Sequence, residues 1–97
     1  MRIRKEHIAN IKEIARNNFG KDVQIYLFGS RVDDSKKGGD IDLYIETKIS
    51  EELFDKKIKM LSALYKTIGE QKIDLIINNF TRDKLIYKVA KQEGVLL

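Results

Sequence analysis

The sequence contains no cysteine, no proline and only one histidine. The missing cysteines exclude disulfides and thiolate metal sites. No low-complexity tract, internal repeat or linker is apparent. No apolar run approaches the roughly 20 residues needed to cross a bilayer. Residues 1–6 carry charge with no apolar core after them, so no signal peptide is visible. These absences together lead to the expectation of a cytoplasmic chain. There is also no basic stripe interleaved with aromatics, so neither a dedicated RNA platform nor direct DNA binding is expected.

What is present fits one domain over residues 1–97. A domain of that size buries a modest share of its surface, and a partner subunit would add to a marginal core. The hydrophobic fraction is 42% and the charged fraction 35%, as in a globular chain somewhat rich in charge. The net charge of +4 arises from 19 Lys+Arg against 15 Asp+Glu. A mildly basic balance favours a nucleotide, RNA or an acidic protein partner. A lysine-rich solvated surface gives the same number with no function attached.

Ile8, Ile11, Ile14, Ala15 and Phe19 recur at helical spacing, and Gly20 offers a stop. Residues 23–28 are β-branched and aromatic and end at Gly29, which predicts a mostly buried strand. Residues 30–39 are polar and close on two glycines, as in a loop. Ile41, Leu43 and Ile45 then alternate with Asp40, Asp42, Tyr44 and Glu46, so one strand face is apolar and the other polar. Ser50 is a candidate N-cap, with Glu51 and Glu52 in a first helical turn. Phe54, Ile58, Leu61, Tyr65 and Ile68 continue at helical spacing to Gly69. Residues 73–77 form an apolar run interrupted by Asp74, a third strand. Thr81 is placed to cap a last helix through Leu85, Ile86, Val89 and Ala90, before Gly94 and a short apolar tail at 95–97.

The first two strands are joined by a loop too short for a crossover, so they should be antiparallel. The second and third are linked through a helix, as in a right-handed crossover between parallel strands. The fold class expected is α/β (α+β): a small mixed sheet of about three strands with helices packed on one face.

Asp40 and Asp42 sit two apart on a strand, so their side chains share a face, roughly 7 Å apart at about 3.3 Å rise per residue. Their like charges repel, and a bound cation reverses that. Mg²⁺ takes hard oxygen ligands and keeps waters and phosphate oxygens in its shell. Asp74, between Ile73 and Leu75, is costly inside a buried strand unless paired, and a role as third ligand explains it. Each acid alone has a plainer reading, as a solvated strand face or an edge-strand residue. Gly29 permits a tight backbone path with amides turned toward a phosphate. Ser30 offers a hydroxyl to a β- or γ-phosphate oxygen, and Arg31 a fork for phosphate or an adjacent acid.

Phe28-Gly29-Ser30-Arg31, followed by Gly39-Asp40-Ile41-Asp42-Leu43 and then Ile73-Asp74-Leu75, resembles the DNA polymerase beta-type nucleotidyltransferase superfamily, with its palm-like fold. In size and element order the chain is similar to the minimal nucleotidyltransferases, the antitoxin halves of HEPN toxin–antitoxin pairs. The resemblance covers nearly the whole chain. It implies that Asp40, Asp42 and Asp74 are catalytic and hold two Mg²⁺ ions. It implies that Gly29, Ser30, Arg31 and Gly39 bind the nucleotide, with ATP as substrate. It further implies transfer of AMP, or another nucleoside monophosphate, to a tyrosine of a HEPN-type toxin, which is then both substrate and partner.

Two departures from the family pattern stand out. Val32, Asp33 and Asp34 occupy positions where relatives carry a small residue, a basic residue and a glycine, and two acids repel a triphosphate unless they face solvent. Gly39 stands where a serine commonly precedes the first acid. Lys36 and Lys37 could restore positive charge, or be ordinary loop residues. His7, four before Ile11, reads as packed or surface, and Tyr26, Tyr44, Tyr65 and Tyr87 as packing residues. An alternative function is a catalytically weak module that neutralises a partner toxin by binding. Transfer to a small molecule or an RNA end is a third, weakened by the lack of a second domain to shape an acceptor pocket.

Overall fold

The computed structural model of the chain describes residues 2–32, 39–69 and 71–97. Helix α1, Lys5–Phe19, buries Ile11, Ala15 and Phe19 from one stripe. It ends where the Gly20 amide donates to the Arg16 carbonyl at 2.9 Å. Strand β1, Gln24–Phe28, follows, then a 3₁₀ turn at Gly29–Arg31 and strand β2, Ile41–Glu46. Helix α2, Leu53–Ile68, leads to strand β3, Ile73–Asn78, and helix α3, Leu85–Glu93, to strand β4, Val95–Leu96.

The sheet order is β3-β2-β1-β4. Strands β1 and β2 are antiparallel, and β2 and β3 parallel, as the loop length and the helical connection require. The short apolar tail is a fourth strand, antiparallel to β1, one more than the three elements read as strands from the sequence. It fits because Gly94 passes close under the chain. A Cβ there would overlap the Ala90 carbonyl oxygen and meet Leu27 O at 3.2 Å.

The sheet has two different faces. On one, Ile25, Leu27, Ile41, Leu43, Ile45, Ile73 and Leu75 meet α1 and α2 in an aliphatic core. Leu27, Leu43 and Ile45 are wholly buried, each stabilising by roughly 1.5–3 kcal/mol. The other face carries Tyr26, Phe28 and Tyr44 against α3, through Tyr87 and Ala90. Helices therefore cover both faces, two on one side and one on the other. The alternating polar set of β2 is not solvated throughout, since Tyr44 and Glu46 lie beneath α3.

Local details differ from expectation where two choices were chemically similar. Helix α2 starts at Leu53 after Glu52 in a left-handed conformation (φ 55°), with no side-chain cap from Ser50. Its inward stripe is Met60, Leu64 and Ile68, while Phe54, Ile58 and Tyr65 face outward. The segment carries two apolar stripes, and spacing alone does not say which is buried. The Thr81 hydroxyl donates to Asn79 Oδ1 at 2.6 Å in a turn, so α3 begins only at Leu85. Among the described residues, no helix is long and apolar enough to cross a membrane.

Candidate active site

The second sheet face is built in transverse rows, because strand side chains alternate and the registers align. One row is Phe28, Asp42 and Asp74, the next Tyr26, Tyr44 and Ile76, the third Gln24, Glu46 and Asn78. Asp42 and Asp74 are thus direct neighbours across the parallel β2–β3 pair, on strands about 4.8 Å apart. Their carboxyl groups are within hydrogen-bonding reach of each other.

That proximity has an electrostatic cost. Burial raises the Asp42 carboxyl above its ordinary value of 3.8; the charge and hydrogen bond of Asp74 raise it further, as does the charge of Asp40, while Lys72 lowers it. Two acids crowded in this way are an unfavourable arrangement for the ionised forms. A divalent cation would replace the repulsion with attraction. The donor set of hard carboxylate oxygens suits Mg²⁺.

Asp40 lies one residue ahead of β2 and is half-exposed. Its Oδ2 is 3.7 Å from Lys72 Nζ, in a pair open to water, which contributes little to stability. Among the described residues, no group of three acidic, histidine or cysteine side chains converges as a metal cage. Asp42 and Asp74 are brought together, and Asp40 stands beside them, held by Lys72. This lysine was not singled out from the sequence. Its signal was the register itself, since pairing Asp42 with Asp74 puts residue 72 opposite residue 40.

Asp42 and Asp74 open into a cavity of about 480 Å³, with Phe28, Lys57, Leu61 and Ile86 also on its wall. Lys57 comes from α2, four residues before Leu61, and is the one cation of this wall among the described residues. A second cavity of the same size lies at the opposite end of the face. Its buried acid, Glu46, accepts from the Tyr44 hydroxyl at 2.8 Å and from Lys91 Nζ at 3.3 Å. Asn78 Nδ2 donates to the Tyr44 oxygen at 2.9 Å. Burial pushes the Tyr44 hydroxyl up to about 12, while the Asn78 bond pulls the other way. That network is internally satisfied, whereas Asp42 and Asp74 bring like charges together.

Gly29 is required twice over at the Asp42 end. Its φ is +77°, and a Cβ would overlap Asp42 Oδ2. The glycine turn and the carboxylate are therefore packed as one unit. Ser30 is half-buried in the same turn. Gly39 is exposed, and a Cβ there would meet nothing within 4 Å, so no steric demand for glycine exists at that position. The Arg31 guanidinium reaches Arg2 O, Gly39 O and Gln71 Oε1. It lines a cavity with His7 and Gln71 that is separate from the one holding Asp42 and Asp74. His7 is half-buried there. Tyr26, Tyr44 and Tyr87 pack together as expected, but Tyr65 is exposed. Asp33, Asp34, Lys36 and Lys37 lie outside the described residues.

Residues 9–97 match the family model described as polymerase beta, nucleotidyltransferase, a span that contains the whole sheet and every acid of the site. No curated protein matches the chain.

Proposed function

We propose that this chain, which belongs to the polymerase beta nucleotidyltransferase family, transfers AMP from ATP to a hydroxyl of a partner protein. The acceptor we propose is a tyrosine of a HEPN-type toxin, which makes the chain the antitoxin of the pair. One observation carries the reading: Asp42 and Asp74 stand side by side on adjacent strands, against the glycine turn, with Asp40 at the rim. In this role Asp40 and Asp42 would hold both of two Mg²⁺ ions, and Asp74 would hold one of them. When bound, such a pair of ions activates the attacking hydroxyl and neutralises charge on the leaving pyrophosphate. The chain's own contribution is positioning. The Gly29 turn presents backbone and the Ser30 hydroxyl to the triphosphate, and Gly39, next to the first acid, is placed to contact the nucleotide. Lys57 supplies a positive wall.

A protein acceptor is supported by the surface around the cavity. Phe54 and Ile58 on α2 and Leu85 and Ile86 on α3 are exposed, Phe54 by 74% and Leu85 by 76%. Leu61 and Ile86 belong to the cavity wall itself. Exposed apolar groups on the helices that reach this polar site, with Ile86 on its wall, suit docking of another macromolecule.

The test is incubation of the purified chain with labelled ATP, Mg²⁺ and a HEPN-type partner. Label should appear on the partner and be lost in Asp42→Asn and Asp74→Asn. A second reading, inhibition by binding alone, is favoured by the pairing of Asp40 with Lys72. Inhibition of the partner that survives both substitutions, with no label transferred, would replace the first reading by the second.

A further inference from the structure

We infer that Arg31 is a positioning residue: its guanidinium ties together the segments that carry the three acids and does not itself hold the nucleotide. The inference rests on the nucleotidyltransferase reading above. Nη1 donates to the Arg2 carbonyl at 2.8 Å. Nη2 donates to the Gly39 carbonyl at 2.9 Å and to Gln71 Oε1 at 2.7 Å. Gly39 immediately precedes Asp40. Gln71 immediately precedes Lys72, whose side chain holds Asp40 and whose carbonyl accepts the Ile41 amide at 2.9 Å. Arg31 itself ends the turn whose Gly29 is packed against Asp42.

The N-terminal segment closes the arrangement from behind. The Arg2 amide donates to the Arg31 carbonyl at 2.8 Å, and Arg2 Nη2 donates to the Ser30 carbonyl at 2.9 Å. One planar group thus bridges the segment before β2, the segment before β3 and the N-terminus. An arginine can do this because its nitrogens diverge in a rigid fork; a lysine offers a single point. Both terminal nitrogens are already donating to neutral protein acceptors. The cavity beside Arg31 is also not the one beside Asp42 and Asp74. A residue that fixes a metal site's frame from behind its ligands acts on metal-dependent binding, whereas a phosphate ligand acts on the nucleotide with or without metal.

The experiment measures ATP binding by calorimetry, in Mg²⁺ and in EDTA, for the full chain and for Arg31→Gln, Arg31→Lys and Gln71→Leu. The affinity gained on adding Mg²⁺ should fall by about ten-fold in Arg31→Gln, the scale of losing an outer-shell partner. Arg31→Lys should not restore it. Gln71→Leu should show a smaller loss of the same kind, although Gln71 is not on the wall of the Asp42 cavity. Affinity in EDTA should stay at the wild-type value throughout. Equal losses in Mg²⁺ and EDTA for Arg31→Gln, with Gln71→Leu silent, would make Arg31 a phosphate ligand and overturn the inference. If Arg31→Gln does not fold, the Arg31→Lys and Gln71→Leu measurements decide. Hydrogen exchange at the Ile41 amide gives a nucleotide-free readout: it should quicken in Gln71→Leu and Arg31→Lys, and unchanged exchange sinks the clamp. A wild-type chain that binds no ATP in Mg²⁺ would remove the functional reading, while the exchange rates still judge the clamp.

Discussion

The two faces of the sheet share strands and differ in almost everything else. The face toward α1 and α2 is aliphatic, buried and continuous from Ile25 to Leu75. The face toward α3 carries two acids in register, two tyrosines packed with Tyr87 of the helix, and a buried Glu46 tied to Tyr44 and Lys91. Period-two alternation makes this division possible, because neighbouring residues of one strand serve opposite purposes. Leu43 is core, while Asp42 and Tyr44 on either side of it belong to the chemical face. The lesson is a separation of stability from function at single-residue resolution.

The comparison breaks most severely if the aliphatic side is opened. Leu43→Ala removes a fully buried side chain and should cost roughly 2–5 kcal/mol, measured by denaturant unfolding. Next in size is Asp42→Asn. Transfer activity should fall by more than about 100-fold, beyond the usual loss from an outer-shell partner. Thermal melting without metal should stay level or rise, because the burial of a charge and its crowding by like charges are both relieved. A fall in both would make Asp42 structural and erase the division between the faces.

Tyr44→Phe probes the chemical face away from the acids. It leaves Asn78 Nδ2 without its partner and Glu46 with Lys91 alone, which should cost about 1–3 kcal/mol. Urea midpoints would read that loss, with nucleotide binding as the control expected not to move. The smallest effect is a pH trend. The folded-state affinity of Asp42 for its proton is raised above 3.8, so the folded chain binds more proton than the unfolded one. This contribution is fully present below 3.8 and is lost as pH rises through the elevated folded value. Paired melts should show Asp42→Asn gaining on the wild type as pH increases across that window, and Mg²⁺ should shrink the difference.

Much of this was legible in the sequence because periodicity reports which residues share a face. Ile41, Leu43 and Ile45 are the buried aliphatic set, and Asp42 and Tyr44 between them take the other side. The order of helices and strands and the parallel crossover followed from loop lengths. What periodicity does not carry is which of two similar stripes is covered. Phe54, Ile58 and Tyr65 have helical spacing yet point outward, because Met60, Leu64 and Ile68 form the stripe that meets the core. The polar set of β2 looked solvent-facing, since nothing local says that α3 folds over Tyr44 and Glu46. A two-residue strand such as β4 is too short for any alternation to register, and it forms because β1 offers it an edge. Asp42 and Asp74 could be grouped from sequence spacing and family resemblance. Their side-by-side placement depended on a register between segments 32 residues apart, and the commitment of Arg31 to Gly39 and Gln71 left no mark in local pattern.

One consequence follows from the acids riding on different strands. Strand β3 lies at the margin of the sheet, bonded only to β2 among the described residues. An ion seated between Asp42 and Asp74 would rivet that outer strand to its neighbour, so fraying of the margin and release of the ion become one event. Whatever ligand favours the seated ion must then slow amide exchange along residues 73–78 in proportion to its occupancy, which turns the sheet's own border into a gauge of site filling.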